Sequence, residues 1–174
     1  MDDAPDNEAT QSAPATTSPG EDQSDDSAED DEDAGANDSA EDVAAQMCDA
    51  HSESGDDGVC VLKNQEFTDD LAFTGYTVVK LIDTSVDGTV TVDGAREVVV
   101  TKTDVTGDLT LSDNDGAVVK LSTLDGALSV TGSQHSTIVK NTVGGDLSCS
   151  GNGGVNGNGN NVGGETSGDC TRLR

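Results

Sequence analysis

The sequence has almost no aromatic residues and few basic ones. Its 174 residues include no Trp, one Tyr and two Phe, and 8 Lys and Arg stand against 35 Asp and Glu, for a formal net charge of −27 at pH 7. Because phosphate binding requires an excess of Lys and Arg, this balance excludes nucleic acid as a partner. With so few aromatic side chains, any core must be built from Val and Leu, and the apolar surface that a given length of chain can bury is modest.

Long apolar runs are also absent. No stretch approaches the roughly 20 residues of a membrane-spanning helix. The residues after Met1 are acidic, so no signal peptide is visible there. The alternative is that Met1 replaces a removed N-terminal export signal, in which case the protein acts outside the cytoplasm.

Residues 1–45 are dominated by Asp, Glu, Ser, Ala, Pro and Thr. They include no Lys, Arg or aromatic residue, and the first basic residue of the chain is Lys63. This composition cannot bury enough apolar surface to offset chain entropy, and its like charges repel. We predict a disordered acidic stalk over 1–45, an N-terminal cap with a first strand over 46–66, and solenoid repeats with a C-terminal cap over 67–174.

A short pattern recurs six times at an interval of 19 residues. Its copies are FTDDLAF (67–73), VDGTVTV (86–92), VTGDLTL (105–111), LDGALSV (124–130), VGGDLSC (143–149) and VGGETSG (162–168). A fixed period of this length is typical of a solenoid, in which each repeat is one coil. Apolar and polar columns alternate along the copies as a β-strand requires. The sequence therefore predicts an all-β fold, a small single-stranded parallel β-helix (β-solenoid) of about six coils.

Glycine recurs at the third position of the pattern. The residues are Gly88, Gly107, Gly126, Gly145 and Gly164. Glycine at an inward strand position marks a bend or a close backbone approach, so we predict a structural corner of the coil there. A second strand is predicted in each coil, ending at or beside Lys63, Lys80, Lys102, Lys120 and Lys140, with loops of differing length that make its spacing wander.

The four cysteines bracket the repeats: Cys48 and Cys60 precede the first copy, and Cys149 and Cys170 lie at the last. Adjacent coils place Cα atoms about 5 Å apart, which suits a disulfide between Cys149 and Cys170, roughly one coil later. The even number of cysteines and their placement at the two ends of the repeats predict disulfide-tied caps and an oxidising, extracytoplasmic location. The alternative is a metal site of Cys48, His51 and Cys60 with an acidic fourth ligand, although this spacing matches no common zinc finger.

The run NTVGGDLSCSGNGGVNGNGNNVGGETSGDC (141–170) resembles the ending of uncharacterised secreted or lipid-anchored actinobacterial proteins, which repeat Asn-x-Val-Gly-Gly and finish at a cysteine. The resemblance covers roughly residues 60–170 and implies export, a β-helical fold and no assigned activity. The acidic segment is similar to the one that follows the lipidated cysteine in such lipoproteins, but that cysteine is absent here. The pattern of residues 105–111 has a looser likeness to bactofilins, cytoplasmic β-helical scaffolds, from which the end-placed cysteines depart.

Residues suited to catalysis are few. His51 and His135 belong to no recognisable triad. Asp93, Arg96 and Glu97 form a short polar cluster of the kind that a polysaccharide-cleaving β-helix would use as a base and as calcium ligands. We predict an ordinary solvated turn there, no catalytic residue, no cofactor and no enzyme activity.

Polar columns on the outside of the coils invite two further hypotheses. Carboxylates recur in one column, but its aspartates are two coils, roughly 9.6 Å, apart, too far for one calcium ion. An ice-binding array would need two aligned threonine columns, and only Thr89 and Thr91 supply both. We predict a solvated polar face, no metal site, and a ridge of lysines paired with nearby carboxylates. The carboxylate column consists of Asp70, Asp108, Asp146 and Glu165.

The predicted function is that of a non-enzymatic, exported cell-surface β-solenoid, a structural or binding module displayed on an acidic stalk. It would be secreted or anchored to the surface through the removed signal. Its expected partners are a cell-wall or surface glycan or another surface protein, and it is expected to be a monomer. The alternatives are a self-assembling bactofilin-like scaffold and a polysaccharide-binding or polysaccharide-cleaving β-helix. Oxidised caps predict the monomer, whereas free thiols with exposed terminal coils predict filaments.

Overall fold

The computed structural model describes residues 39–51 and 58–174. One helix, α1 (Ala40–His51), comes first. The strands that follow are, in chain order, β1 (Val59–Lys63), β2 (Glu66–Phe67), β3 (Leu71–Thr74), β4 (Val78–Ile82), β5 (Ser85–Val86), β6 (Val90–Asp93), β7 (Glu97–Thr101), β8 (Asp104–Val105), β9 (Leu109–Ser112), β10 (Gly116–Lys120), β11 (Thr123–Leu124), β12 (Leu128–Thr131), β13 (His135–Val139), β14 (Thr142–Val143), β15 (Leu147–Ser150), β16 (Val155–Asn158), β17 (Asn161–Val162) and β18 (Thr166–Gly168).

Each coil contributes one strand to each of three six-stranded parallel sheets. Sheet A has the order β1-β4-β7-β10-β13-β16, sheet B β2-β5-β8-β11-β14-β17, and sheet C β3-β6-β9-β12-β15-β18. Every pairing joins residues 19 apart, from Val59 with Val78 at the start to Cys149 with Gly168 at the end. The predicted all-β solenoid of about six coils and 19-residue period is confirmed.

The predicted second strand is wrong in two respects. The coil has three strands rather than two, and the spacing between coils does not wander. Sheet A pairs Val61 with Lys80, and Lys80 with Val99, so the lysines do not mark equivalent positions. A lysine is solvated both on the outward face of a strand and at a corner, so its position does not fix the register. The inward apolar side chains do fix it, because a slip of one residue would turn them out of the core.

The core is a narrow column of Val and Leu inside the coils. The columns that begin at Phe67, Leu71 and Phe73 are buried in successive coils up to Val143, Leu147 and Cys149. Sheet A adds a third wall of buried residues, including Val79 and Val98 in consecutive coils. Each coil has few apolar side chains, so its stability depends on the coils stacked on either side.

A capping box fixes the start of α1. The backbone N–H of Asp42 donates to Oγ of Ser39, and the backbone N–H and hydroxyl of Ser39 donate to the Asp42 carboxylate, at 3.3, 3.3 and 2.7 Å. The helix buries Ala44 and Cys48 against β1 and β3 and so covers the first coil. No helix in residues 39–51 or 58–174 is long and apolar enough to cross a membrane.

Two predicted boundaries change. The helix begins at Ala40, inside the segment 1–45 that was predicted to be a disordered stalk, because the capping box and the buried face order residues 40–45. Residues 1–38 of that segment lie outside the described residues. The solenoid begins at Val59 of β1 rather than at residue 67, since β1 pairs with β4 along its whole length.

The last coil is closed by the chain that follows it. Gly157 and Gly168 hold the positions that Ile138 and Cys149 fill in the coil before. The tail supplies a replacement, because Leu173 folds back and is buried, and its carbonyl accepts a hydrogen bond from the side chain of the buried Asn160 at 2.6 Å. This tail forms a cap over the C-terminal end of the stack.

Candidate functional site

The four cysteines form two disulfides, one at each end of the stack. Cys48 of α1 is bonded to Cys60 of β1, and Cys149 of β15 to Cys170 of the tail, each with Cα atoms 5.2 Å apart. The bond excludes the alternative metal site at Cys48, His51 and Cys60, because sulfurs in a disulfide are not thiolate ligands. Disulfides persist in oxidising compartments, so both pairs are consistent with an extracytoplasmic location.

The glycine column lies at the bend between sheets B and C. None of its five residues has a positive φ. Instead, the backbone N–H of Gly107 donates to the carbonyl of Gly88 at 2.9 Å, and the same bond repeats up the column to Gly164. A Cβ atom on Gly107 would lie only 2.6 Å from that carbonyl oxygen. The coils therefore approach too closely at this corner for any side chain.

The recurring aspartates at the same corner connect successive coils. Oδ1 of Asp70, Asp108 and Asp146 accepts a hydrogen bond from the backbone N–H one coil later, at 2.6, 2.7 and 2.8 Å. The next coil has Thr89 or Ala127 at this position, so the aspartate occurs in every second coil. Three groups of the kind that bind calcium elsewhere thus serve as hydrogen-bond acceptors for the stack.

The contact at Asp70 should make stability dependent on pH. Its hydrogen bonds from Thr89, chiefly from the backbone N–H, lower the pKa of Asp70 below its usual value. A lowered folded-state pKa stabilises the protein above the unfolded pKa, and this contribution is lost as the pH falls through the folded value. Because the side chain is exposed, we expect Asp70→Ala to lower the free energy of unfolding by about 0.5 kcal/mol at pH 7, and by less at pH 3.

Urea denaturation of both proteins at pH 7 and pH 3 measures this difference. Asp70→Asn is the control, since an amide oxygen still accepts the bond from Thr89 but does not titrate. It should stay close to the wild type at pH 7. An Asp70→Ala effect that is equal at both pH values would contradict the assigned contact.

In the polar cluster considered for polysaccharide cleavage, one side chain is held in an ion pair. Glu97 of β7 forms an ion pair with Lys80 of β4 at 2.8 Å. The backbone N–H of Arg96 donates to the carbonyl of Thr77 at 3.0 Å, and its side chain is exposed, as is that of His135. In the part of the chain that the structure describes, no three His, Cys, Asp or Glu residues are grouped so as to hold a metal ion.

The outward face of sheet C carries two columns of mainly hydroxyl side chains, of which one, the column of Thr91, was considered from the sequence and the other was not. Thr89 precedes β6 and lies outside the sheet, so its pairing with Thr91 as two aligned columns is wrong. The real second column contains Asp93, which interrupts its hydroxyl groups. The columns are Ala72, Thr91, Thr110, Ser129 and Ser148, and Thr74, Asp93, Ser112, Thr131 and Ser150.

All five lysines lie on or beside sheet A. Lys80 pairs with Glu97, and Lys102 pairs with Asp83 at 3.5 Å, which supports the predicted ridge of paired lysines in part. Within residues 39–51 and 58–174, no carboxylate lies within ion-pair distance of Lys120 or Lys140. The ridge therefore has an unpaired positive section near its C-terminal end.

Each coil has a corner in the left-handed region that the sequence pattern does not reveal. The residue that follows each sheet A strand has φ between 50° and 69° in all six coils. Asn, Asp and Gly adopt this conformation readily, whereas a residue such as leucine is strained in it. The corner residues are Asn64, Asp83, Lys102, Leu121, Lys140 and Gly159. A second such corner follows sheet C, where Gly75, Gly94, Asp113, Gly132 and Gly151 recur at the same interval.

A buried polar ladder was also missed. It follows the sheet A corner and consists of inward side chains that bond the neighbouring coils. Ser122 Oγ accepts from the backbone N–H of Thr103 at 3.2 Å, Asn141 Oδ1 from that of Ser122 at 3.0 Å, and Asn160 Oδ1 from that of Asn141 at 3.0 Å. These bonds satisfy backbone groups that the corner removes from the sheets.

Comparison with known proteins finds no matching family, no matching curated protein and no matching solved structure. The resemblance to secreted or lipid-anchored actinobacterial proteins, and the looser one to bactofilins, stay predictions.

Proposed function

We propose that the protein is a non-enzymatic, exported solenoid that acts as a monomeric binding module. One observation carries the proposal: both ends of the stack are closed by caps tied with disulfides. At the first coil, α1 lies over β1 and β3 and is bonded through Cys48. At the last coil, the tail buries Leu173 and is bonded through Cys170.

Closed ends favour a monomer over a scaffold. A parallel stack with an open terminal coil presents unpaired backbone N–H and C=O groups, on which another copy can add. Here the helix and the tail occupy those positions, so they oppose end-to-end stacking of the bactofilin kind. What the solenoid then offers to partners is its lateral surface, built from the outward faces of the three sheets.

The positions of the candidate catalytic groups support a non-enzymatic role. Glu97, one of the three candidates, is paired with Lys80, and Asp70, of the carboxylate column considered for calcium, accepts a hydrogen bond from the next coil. The shallow groove beside the sheet A corner is lined by polar residues, among them Asn64, Glu66 and Asp104. We therefore propose that the protein binds a partner and catalyses no reaction. An acidic N-terminal stalk and a removed export signal are parts of the same proposal.

The test is the state of association with and without the disulfides. We expect the oxidised full chain to sediment as a monomer at all concentrations and to have no free thiols. The variant Cys149→Ser/Cys170→Ser should lose about 3 kcal/mol, the entropy of closing a loop with a sequence separation of 21, and should associate as its last coil opens. Sedimentation velocity measures the association, thiol titration the free thiols, and urea denaturation the loss of stability.

The matched variant is Cys48→Ser/Cys60→Ser, with a separation of only 12. Its helix keeps the capping box and the packing of Ala44, so we expect less association than at the other end. Polymers of the oxidised chain that grow with concentration would contradict the proposed monomer. Free thiols in the exported protein would remove the role of the caps.

A further inference from the structure

Leu121 is an outlier in exposure, and it shares the left-handed backbone conformation of the five equivalent corners. Its relative exposure is 51%, and no other large apolar residue in the described part of the chain is exposed. Its φ is 54°, in the left-handed region. Equivalent corners hold Asn64, Asp83 and Gly159, residue types that suit this conformation. An exposed apolar residue in the left-handed region gains little from burial and carries a backbone cost, so together with the charges around it Leu121 supports a hypothesis of function.

Lysines surround Leu121 on the solvent side. Lys102 holds the same corner one coil before, Lys140 one coil after, and Lys120 precedes it on β10. Stacked coils are about 4.8 Å apart, so Lys102 and Lys140 are separated by roughly 9.6 Å at their Cα atoms. Lys120 and Lys140 have no carboxylate partner among the described residues. We name these four residues the lysine–leucine ridge.

The ridge is short and bordered by negative charge. Asp83 takes the corner position one coil before Lys102, and Asp104 lines the adjoining groove. The whole chain carries a formal net charge of −27. If a flat anionic lipid surface contacted the ridge, its negative charges would lie within a screening length, about 8–10 Å, of these carboxylates and would repel them. A narrow partner that contacts only three coils avoids this repulsion.

We propose that the lysine–leucine ridge binds a short, extended acidic segment of another protein, with an aliphatic side chain of that segment against Leu121. Its carboxylates would lie near Lys120 and Lys140, and near Lys102, whose exposed ion pair with Asp83 at 3.5 Å one of them would replace. An extended peptide rises about 3.3 Å per residue and its alternate side chains share a face, so carboxylates two residues before and two residues after the aliphatic residue face the ridge about 13 Å apart, within reach of the long side chains of Lys102 and Lys140. This rests on the proposed function, since it names the partner class of the binding module.

The probe is the acetylated peptide Ser-Ser-Glu-Ser-Leu-Ser-Glu-Ser-Ser, whose two Glu share the face of its Leu when extended; it is titrated into the oxidised full-length chain and followed by amide chemical shifts. We expect saturating shifts confined to the coils of Lys102, Leu121 and Lys140. Leu121→Asn should weaken binding at least fivefold without lowering the melting temperature, because Asn suits the left-handed corner. Lys120→Glu/Lys140→Glu should abolish binding. Lys80→Gln, on the same sheet but away from the ridge, should leave it unchanged.

Three results would overturn the inference. One is that the Leu121→Asn variant binds the peptide as tightly as the wild type does, or that the wild type binds a peptide with Ser in place of Leu as tightly as the original. The ridge would then attract charge alone. Another is binding to phosphatidylglycerol vesicles but not to the peptide. The third is no binding by an oxidised monomer, which overturns the ridge assignment and leaves the proposed function standing. Polymers of the oxidised chain would instead contradict the proposed function, whatever the titration gives.

Discussion

Gly126→Ala is expected to lower the free energy of unfolding by about 2–4 kcal/mol. A Cβ atom there would lie 2.5 Å from the carbonyl oxygen of Gly107 and would also overlap Oδ1 of Asp108. The Asp108 side chain can rotate away, but it then gives up its hydrogen bond from Ala127. The backbone of Gly107 cannot retreat without breaking its bond from the N–H of Gly126, at 3.2 Å. Chemical denaturation followed by far-ultraviolet circular dichroism measures the loss.

Gly94→Asn is the matched control. Gly94 has a φ of 70° and no atom within 4 Å of an added Cβ, and Asp113 holds the same corner one coil later. Because Asn tolerates the left-handed region, we expect a change within about 0.5 kcal/mol. Equal losses in the two variants would mean that glycine acts through backbone flexibility in both places, and would contradict the close approach at Gly126.

The period and the core could be predicted because one stretch of each coil obeys strict alternation. In residues 86–92, Val86, Val90 and Val92 are buried, with exposed or half-buried Asp87, Thr89 and Thr91 between them. A two-residue repeat of this kind distinguishes inside from outside without any knowledge of the neighbouring coil. The same columns placed the corner glycines, whose identity signals either a bend or a close contact.

The register of the second strand, which belongs to sheet A, and the existence of a third strand, in sheet B, could not be predicted from the same rule. Sheet A strands such as Glu97–Thr101 carry consecutive valines, so both faces look apolar and the register stays open. Sheet B strands have two residues, too few to show a period. Lysine then supplied a false register, since Lys80 lies within a strand and Lys102 at a corner.

Candidate site residues were hidden for a related reason. Leu121 in the run Lys-Leu-Ser-Thr-Leu cannot be told from core leucines such as Leu124, because its exposure depends on a corner that only the three-dimensional register defines. Polar residues such as Ser122 and Asn141 are common in loops, and sequence gives no sign that these two point inward. Their partners are backbone groups 19 and 22 residues away.

Asn141→Ala is expected to be as damaging as the glycine substitution, with a loss of about 3–5 kcal/mol in the free energy of unfolding. Asn141 is 1% exposed. Its Oδ1 accepts from the backbone N–H of Ser122 at 3.0 Å, and its Nδ2 donates to the carbonyl of Val119 at 2.9 Å and to Oδ1 of Asn160 at 3.0 Å. In the alanine variant the backbone N–H of Ser122 and the carbonyl of Val119 lose these partners. An unpaired polar group is costly in a buried interior.

Three further substitutions at the ladder separate lost hydrogen bonds from lost volume, all read by urea denaturation. Asn141→Leu keeps the volume but none of the bonds, so a loss close to that of alanine is expected, and wild-type stability would contradict a polar role. Asn141→Ser should fall between, because Ser122 shows that a hydroxyl at this position can accept from the coil before. Ser122→Asn should stabilise by about 0.5–1.5 kcal/mol, since an amide there can also donate to the carbonyl of Val100, as Asn141 does to Val119. If an added asparagine strengthens the ladder, the ladder holds the coils together from inside the solenoid. The lateral surface then stays free for a partner.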